Sequence, residues 1–367
     1  MYSLVVLLIV IAPTVSVANS PCETAKNCSS CASLSDQNCG WCFRDQRCHH
    51  VESSKSSCLS KSLFSERESC PTFEPIPYDQ DFALELLNYS AAAYSTDPIT
   101  CLRNVGSDFE IWNSSTVYSD YLGNENFGLV AVSTKRRKVL IAFRGTNGPK
   151  QLMEEILRDS HPNIPHPLGG KVDSYFYNTF VSLWDTMEPA VADILSQTQR
   201  DSPKWDIWVT GHSLGGALAS LAALQLVADG HVTSDQLKLL TFGAPRVGDG
   251  AYAGHHDRLV PHSWRVTHNL DIVPHVPFCY GWDKCSTDHL AYHHGVEVFY
   301  PAENMDPSTH LDYIVCLGRP VNEDEGCSNG VVSAYTCTLH FSSCVEAHKY
   351  YFNTEVRHYG LNYCKPL

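Results

Sequence analysis

Half of the sixteen cysteines in this 367-residue chain lie within one short segment, residues 22–70. The segment has too few aliphatic residues to bury a hydrophobic core of its own, so about four disulfides would have to stabilise it. The other eight cysteines are spread thinly over residues 101–364. The contrast predicts a small disulfide-rich module followed by a larger domain, in an oxidising compartment where thiols pair.

The cysteine spacing inside the first segment is distinctive. Residues 39–42 form a Cys-Gly-Trp-Cys box, and a Cys-x2-Cys pair, Cys28 and Cys31, precedes it. The pattern resembles the plexin-semaphorin-integrin (PSI) module, which implies an interaction or spacer unit and hence a candidate protein partner. Zinc is the alternative for the Cys-x2-Cys pair, and an oxidising compartment disfavours it. We expect the module over residues 19–71 and a proline-rich linker over residues 72–78.

The amino-terminal residues predict where the protein is sent. Residues 1–18 carry no charged side chain, and Pro13 interrupts an apolar run that is shorter than the about 20 residues of a membrane span. They predict a secretory signal peptide, and a protein that is secreted or resides in the secretory-pathway lumen without an integral membrane segment. Three sequons provide glycosylation candidates in that pathway: Asn27, Asn88 and Asn113. The net charge of −14 argues against nucleic acid, whose phosphates require Lys and Arg.

From residue 79 to residue 367, helical and strand patterns alternate. The predicted helices cover residues 81–93, 175–195 with a break at Pro189, and 217–228, and the predicted strands cover residues 127–132, 139–143, 206–209, 237–242 and 264–267. The first two strands flank a charged turn and predict a hairpin. Strands separated by helices predict an α/β domain with a mainly parallel sheet, in which functional residues gather at the carboxyl ends of the strands.

Ser213 lies in the stretch Trp-Val-Thr-Gly-His-Ser-Leu-Gly-Gly, between a predicted strand and a predicted helix. Gly211 and Gly215 supply the small residues that a sharp strand-to-helix turn requires, so the stretch has the form of a nucleophile elbow. The backbone N–H of the next residue, Leu214, is then an oxyanion donor. A phosphate-binding turn is the alternative, and it is disfavoured because no lysine lies between residues 204 and 238.

A serine nucleophile requires a histidine base, and the base requires a carboxylate that holds its tautomer. Asp271 follows a later strand and is the candidate carboxylate, with a loop cap as its alternative role. The residues alone leave eight later histidines open as the base: His275, His289, His293, His294, His310, His340, His348 and His358.

Several stretches of residues 79–367 resemble the class 3 lipases, the fungal triacylglycerol-lipase type. The matching stretches are FRGT (143–146), GHSLGGALA (211–219), TFGAPRVGD (241–249), NLDIVPHVP (269–277), YHHGVEVFY (292–300) and HKYYF (348–352). The resemblance implies an α/β-hydrolase fold, with Ser213 as nucleophile, Asp271 as the carboxylate and His348 as the base. It also implies Thr146 as the second oxyanion donor and a bridge between Cys101 and Cys364.

Three further disulfides would close short loops: Cys279–Cys285, Cys316–Cys327 and Cys337–Cys344. Residues 147–159 predict a short amphipathic helix, which is either a lid over the site or a surface helix that packs permanently on the core. The pairs His255–His256 and His293–His294 lack acidic or cysteine partners at ligand spacing, so we expect no metal and no cofactor.

Together these features predict a secreted serine hydrolase that cleaves carboxylic esters of lipids at an interface, most simply a triacylglycerol lipase. A phospholipase or a small-ester esterase would use the same residues. The alternative from another class is a catalytically silent, lipase-like binding protein, against which the intact Ser213, Asp271 and His348 argue.

Overall fold

The computed structural model describes residues 20–42, 47–52, 77–118, 125–146, 162–201, 204–278, 285, 291–308, 312–319 and 321–365. The chain divides into two compact units, residues 1–70 and 71–367. The predicted signal peptide and most of the predicted linker lie outside the described residues. The boundaries 19–71, 72–78 and 79–367 therefore stay predictions.

The first unit is built around cysteine. Helix α1 (Cys28–Ala32) precedes the antiparallel strands β1 (Cys39–Cys42) and β2 (Arg47–His50). The bridges Cys22–Cys39 and Cys31–Cys48 tie these elements together. In the described part of this unit, the buried apolar side chains are six cysteines, Ala32 and Trp41. Disulfides thus occupy the place that an aliphatic core takes in a larger domain.

The second unit contains a central sheet and several short strands. Its strands are β3 (Glu110–Tyr118), β4 (Glu125–Ser133), β5 (Lys138–Phe143), β6 (Asn163–Pro165), β7 (Lys171–Asp173), β8 (Asp206–His212), β9 (Leu237–Phe242), β10 (Ser263–His268), β11 (Val296–Tyr300), β12 (Ile314–Val315), β13 (Tyr350–Tyr351) and β14 (Thr354–Glu355). The eight-stranded sheet has the order β12-β11-β10-β9-β8-β5-β4-β3. Neighbours from β5 to β11 pair in parallel, and the pairs at the two edges are antiparallel.

Helices cover both faces of this sheet. They are α2 (Gln80–Ala92), α3 (Pro98–Asn104), α4 (Ser174–Thr198), α5 (Leu214–Ala228), α6 (Gly250–Leu259), α7 (Ala334–Leu339), α8 (Phe341–Lys349) and α9 (Val356–Leu361). One buried cluster joins the sheet to α4 and α5, and a second joins its other face to α2. The mainly parallel sheet with helices on both faces is the α/β architecture that the sequence predicts.

The second unit contains several short strands and helices beyond the predicted ones, and two of its elements depart from the sequence prediction for a clear physical reason. Helix α4 runs through Pro189 without a break. Proline removes one backbone hydrogen bond, but Met187 and Val191 on either side of it stay buried and hold the helix on the core. Strand β3 was not predicted, because Asn113 and two serines follow one another in an edge strand whose residues are at least partly exposed.

Three of the predicted disulfides are present: Cys101–Cys364, Cys316–Cys327 and Cys337–Cys344. The first joins α3 to the residues that follow α9. Cys279 lies outside the described residues, and Cys285 is disulfide-bonded. None of the described cysteines is free.

Candidate active site

Ser213 occupies the sharp turn between β8 and α5. Its backbone has φ 60° and ψ −132°, a conformation that L-residues rarely adopt. The turn is tight on both sides, because a Cβ at Gly211 would lie 2.1 Å from the Gly215 carbonyl oxygen, and a Cβ at Gly215 would lie 2.2 Å from that of Phe143. Only glycine fits these positions, and the turn presents the Ser213 side chain at the carboxyl end of the sheet.

His348 and Asp271 lie in line with Ser213. His348 Nε2 is 2.9 Å from Ser213 Oγ, and His348 Nδ1 is 2.9 Å from Asp271 Oδ2. A carboxylate only accepts, so Nδ1 carries the proton and Nε2 is left to accept from the serine hydroxyl. His348 and Asp271 are each 1% exposed. The arrangement can take a proton from a serine inside a water-excluded site.

Asp271 is held as an anion by three donors. Besides His348, it accepts the Val273 backbone N–H at 2.9 Å and the Tyr351 hydroxyl at 2.5 Å. Burial alone would raise the pKa of Asp271, but the electrostatic interaction with His348 and these hydrogen bonds lower it below its ordinary value. Asp271 therefore keeps its charge and can orient His348.

Thr146 lies just beyond β5, beside the turn that holds Ser213. Its Oγ1 is buried and has no hydrogen-bond partner among the described residues. Gly145 permits the approach, since a Cβ there would lie 2.6 Å from the His212 carbonyl oxygen and 3.0 Å from Ser213 Cβ. Leu214 opens α5, where backbone N–H groups lack partners within the helix. Thr146 and Leu214 are thus placed to bind an anion beside Ser213.

A cavity of about 240 Å³ lies beside Ser213 and His348. It is lined by Tyr94, Thr146, His212, Ser213, His348, Lys349, Glu355 and Arg357. The candidate nucleophile and base line it together with charged side chains from the end of α8, from β14 and from α9. The cavity has room for a small acyl group beside Ser213.

His212 is a member of the site that the sequence analysis missed. Its Nε2 lies 2.9 Å from the His348 carbonyl oxygen, so Nε2 carries the proton, and Nδ1 accepts from the Tyr94 hydroxyl at 2.9 Å. Its ring also stacks on that of His348, with centroids 4.7 Å apart. Burial, followed by the neighbouring His348, lowers the pKa of His212 to about 3. The signal was present in the sequence, since His212 directly precedes Ser213.

The other candidate histidines lie away from Ser213 or outside the described residues. His293 Nε2 lies 2.6 Å from the Pro274 carbonyl oxygen, and His294 Nε2 lies 2.6 Å from Ser220 Oγ. His340 and His358 are exposed, and the carbonyl of His275 accepts from Arg246. His289 and His310 lie outside the described residues. The structure therefore brings only His348, among the described candidates, to Ser213.

A buried ion pair supports the loop that carries Asp271. Arg246 Nε and Nη2 each lie 2.8 Å from a carboxylate oxygen of Glu323. Arg246 also donates to the carbonyl oxygens of His275 and Pro277. The guanidinium of Arg246, the arginine of the TFGAPRVGD stretch, thus binds Glu323 with two hydrogen bonds and fixes residues 275–277, just beyond the candidate carboxylate.

Of the groups of possible metal ligands among the described residues, one contains no disulfide-bonded cysteine. Atoms of His256, Asp257 and His294 lie within 4.8 Å of one another. Asp257 directly follows His256 in the sequence, and the fold brings His294 to this pair, which the linear spacing had not indicated. However, the rings of His256 and His294 stack face to face with centroids 3.7 Å apart, so their edges do not converge on one point. Asp257 also accepts from Gly295 N–H and from the Asn322 amide.

Other predicted features have simple locations. Asn27 caps α1, Asn88 lies in α2 and Asn113 lies in β3. The candidate lid, residues 147–159, lies outside the described residues. Among the helices of the described residues, none is both long enough and apolar enough to cross a bilayer.

The fold and the matched sequences identify the class of protein. The sheet, the serine turn and the covering helices define an α/β hydrolase, and residues 140–281 match the class 3 lipase family. A lipase of Caenorhabditis elegans is 35% identical over 314 residues, which cover 80% of this chain and 84% of that protein. The chain belongs to the class 3 lipase family, and it is a carboxylic ester hydrolase that acts on lipid esters.

Fungal proteins are similar over shorter stretches. A protein of Penicillium cyclopium named secreted mono- and diacylglycerol lipase A is 27% identical over 202 residues, 52% of this chain and 63% of that protein. Lipase II of Rhizopus niveus has a similar structure, with a TM-score of 0.59 and 26% identity over 75% of this chain and 94% of that one. The α/β-hydrolase fold is thus shared with solved fungal lipases. The PSI resemblance of the first unit stays a prediction.

Proposed function

We propose that the protein hydrolyses acylglycerols by a Ser-Asp-His acyl-enzyme mechanism. The observation that carries the proposal is the hydrogen-bonded chain from Ser213 through His348 to Asp271, with 2.9 Å at each link. Ser213 Oγ attacks the ester carbonyl carbon while its proton passes to His348 Nε2. Asp271 holds the tautomer of His348 and stabilises the imidazolium that forms.

The negative charge that develops on the carbonyl oxygen is bound by Thr146 and by the Leu214 N–H. When the intermediate collapses, the C–O bond to the alcohol breaks and His348 returns the proton to the leaving alcohol. A water molecule then gives a proton to His348 and attacks the acyl-serine carbon. The fatty acid leaves, and Ser213 regains its proton.

Acylglycerol is the proposed substrate, with triacylglycerol first, because the chain resembles the fungal triacylglycerol-lipase type and a relative is named as a mono- and diacylglycerol lipase. Phospholipids and small esters are the alternatives on the same site. The disulfides and a relative named as secreted support a location outside the cell or in the secretory lumen. We further propose that the PSI-like unit contributes contacts to a protein partner and no chemistry.

The test is hydrolysis of a short soluble ester and of an emulsified long-chain triacylglycerol by the secreted chain. Ser213→Ala should lower kcat on both by at least about 10⁴-fold. Ser196→Ala, an exposed serine of α4, is the control and should leave both rates unchanged. The ratio of the two substrates reports whether an interface is preferred.

If the protein is instead a catalytically silent binding protein, the folded chain should neither hydrolyse an ester nor react with a fluorophosphonate. Under the proposed mechanism, a fluorophosphonate should label Ser213 of the folded chain and should fail on Ser213→Ala. Absence of labelling on well-folded protein, together with no hydrolysis of either ester, would refute the enzyme mechanism and leave only the fold.

A further inference from the structure

The last turn of α8 carries His348 and leaves backbone carbonyls without partners inside the helix. Helix α8 ends at Lys349, so the carbonyls of Ala347 and His348 belong to its last turn. Such groups must find another donor when they are buried. Histidine side chains from β8 and β10, the strands on either side of β9, point at these two carbonyls.

The first of these is His212, whose Nε2 lies 2.9 Å from the His348 oxygen. The second is His268, the last residue of β10, whose Nδ1 lies 3.0 Å from the Ala347 oxygen. His268 is only 3% exposed, so water does not compete freely for this contact. The end of the helix that carries the base is thus held between two histidine side chains.

His268 lies close in sequence to Asp271 and contacts the residue that precedes His348. Three residues after His268, the chain reaches Asp271, and one residue after Ala347 it reaches His348. A hydrogen bond from His268 to the Ala347 oxygen therefore ties the end of β10, just before the loop that carries the carboxylate, to the helix that carries the base. Tyr351 makes a second tie of this kind, since its hydroxyl donates to Asp271 and its ring lies edge-on to His268 at 5.8 Å.

We propose that His268 is a positioning residue, which sets the place of His348 relative to Ser213 through the Ala347 carbonyl. The proposal rests on the proposed function, in which His348 is the base. Without the His268 donor, the Ala347 oxygen has to find another hydrogen-bond donor, and the end of α8 shifts. A displacement of about 1 Å at a reacting group can lower the rate about 100-fold.

The second nitrogen of His268 provides an internal control. Nε2 lies 3.1 Å from the Ala302 oxygen and 3.2 Å from the Glu303 oxygen, in the segment after β11. An imidazole with one N–H donates on one side only, and the imidazolium donates on both. The amide nitrogen of asparagine can occupy the place of Nδ1, and that of glutamine can occupy the place of Nε2. His268→Asn therefore keeps the link to Ala347, and His268→Gln keeps the link to the 302–303 segment.

The experiment measures kcat and KM on a short soluble ester, the rate of fluorophosphonate labelling and the melting temperature of three variants. His268→Leu, which has no donor, should lower kcat about 10- to 100-fold and leave KM within about twofold, because it disturbs the transition state more than substrate binding. Labelling should slow in parallel. His268→Asn should restore kcat to within about threefold of the original chain, and His268→Gln should stay near the leucine variant.

Three results would overturn the proposal. One is an unchanged kcat in His268→Leu. Another is equal kcat in the asparagine and glutamine variants, with activity that follows the melting temperature. The third is recovery by glutamine alone, which would place the function of His268 at residues 302–303. If His268→Leu does not fold, the comparison of kcat between His268→Asn and His268→Gln still tests the proposal.

Ser213→Ala separates this proposal from the proposed function. If Ser213→Ala stays active, the catalytic assignment fails and His268 has no base to position. If Ser213→Ala is inactive while His268→Leu keeps its kcat, the catalytic assignment stands and only the positioning role is lost.

Discussion

The two units of this protein are stabilised by different means. In the described part of the first unit, the buried apolar side chains are cysteines with one alanine and one tryptophan, tied by bridges such as Cys22–Cys39 and Cys31–Cys48. The second unit buries two large aliphatic and aromatic clusters on the two faces of its sheet. A short segment cannot bury enough apolar surface to offset its conformational entropy, so cross-links replace the core.

The difference extends to polar groups. The second unit buries many histidines, carboxylates and arginines, and each buried polar group depends on a hydrogen-bond partner or on remaining neutral. The described part of the first unit buries no histidine, since His49 and His50 are half-buried. The two units should therefore respond differently to acid, to loss of a disulfide and to separation from each other.

Acid should produce the largest effect, and it should act on the second unit. Burial lowers the pKa of several histidines of this unit. The pKa falls to about 3 for His212, His256 and His275 and to about 4 for His166, and it lies well below the usual value for His293 and His294. Below about pH 6.5 the unfolded chain takes up protons that the folded domain refuses. The free energy of unfolding therefore falls as pH falls from about 6.5 towards 3.

The fall in the free energy of unfolding is large even if only some of these histidines contribute to it. Two such histidines would remove about 4 kcal/mol between pH 7 and pH 5. Asp271, whose pKa is lowered mainly by His348 against the effect of burial, adds a loss below about pH 4. Asp257 and Glu297, whose pKa values burial raises, act in the opposite direction, but they are fewer.

Urea unfolding at pH 7, 6 and 5, followed by tryptophan fluorescence, measures this decline. His256→Phe keeps a ring beside His294 and cannot take up a proton, so it should flatten the slope by up to about 1.4 kcal/mol per pH unit. Hydrogen exchange at pH 5 should show faster opening in the second unit and little change in the first. A constant free energy of unfolding from pH 7 to pH 5 would contradict the prediction.

The burial of those histidines could not be foreseen from the sequence. The hydrophobic patterns predicted the central strands and helices, because a continuous apolar run such as residues 139–143 of β5 can satisfy its burial in few ways. The serine turn was predictable because glycine, serine and glycine stood between a strand and a helix. Contacts between distant residues were not predictable, since neither the stacking of His212 on His348 nor the reach of His268 to Ala347 has a local signature.

Loss of a disulfide should produce the second largest difference between the two units. Replacing Cys31 and Cys48 by serine should cost about 2 to 5 kcal/mol, enough to unfold a unit whose core consists of its bridges. The control replaces Cys316 and Cys327, whose bridge spans 11 residues in the second unit against 17 for Cys31 and Cys48. That control should lower stability by a similar amount, but the surrounding core should keep the domain folded.

Hydrogen exchange resolved by segment distinguishes these outcomes. The Cys31 and Cys48 variant should lose protection over residues 20–52 and keep it in the second unit, with unchanged ester hydrolysis. Retained protection over residues 20–52 would show that the first unit has another source of stability.

Removal of the first unit should have the smallest effect on chemistry. All the residues proposed to act on the ester, from Thr146 to His348, belong to the second unit, and so do Arg246 and Glu323, which support the Asp271 loop. A chain of residues 72–367 should therefore hydrolyse a soluble ester with unchanged kcat and KM. The full chain, expressed and purified in parallel, is the control. A folded truncated chain that has lost its activity would mean that the cysteine-rich unit forms part of the site. Loss of action on emulsified triacylglycerol alone would assign that unit to the interface, since the bond-making residues would still be intact on the soluble substrate.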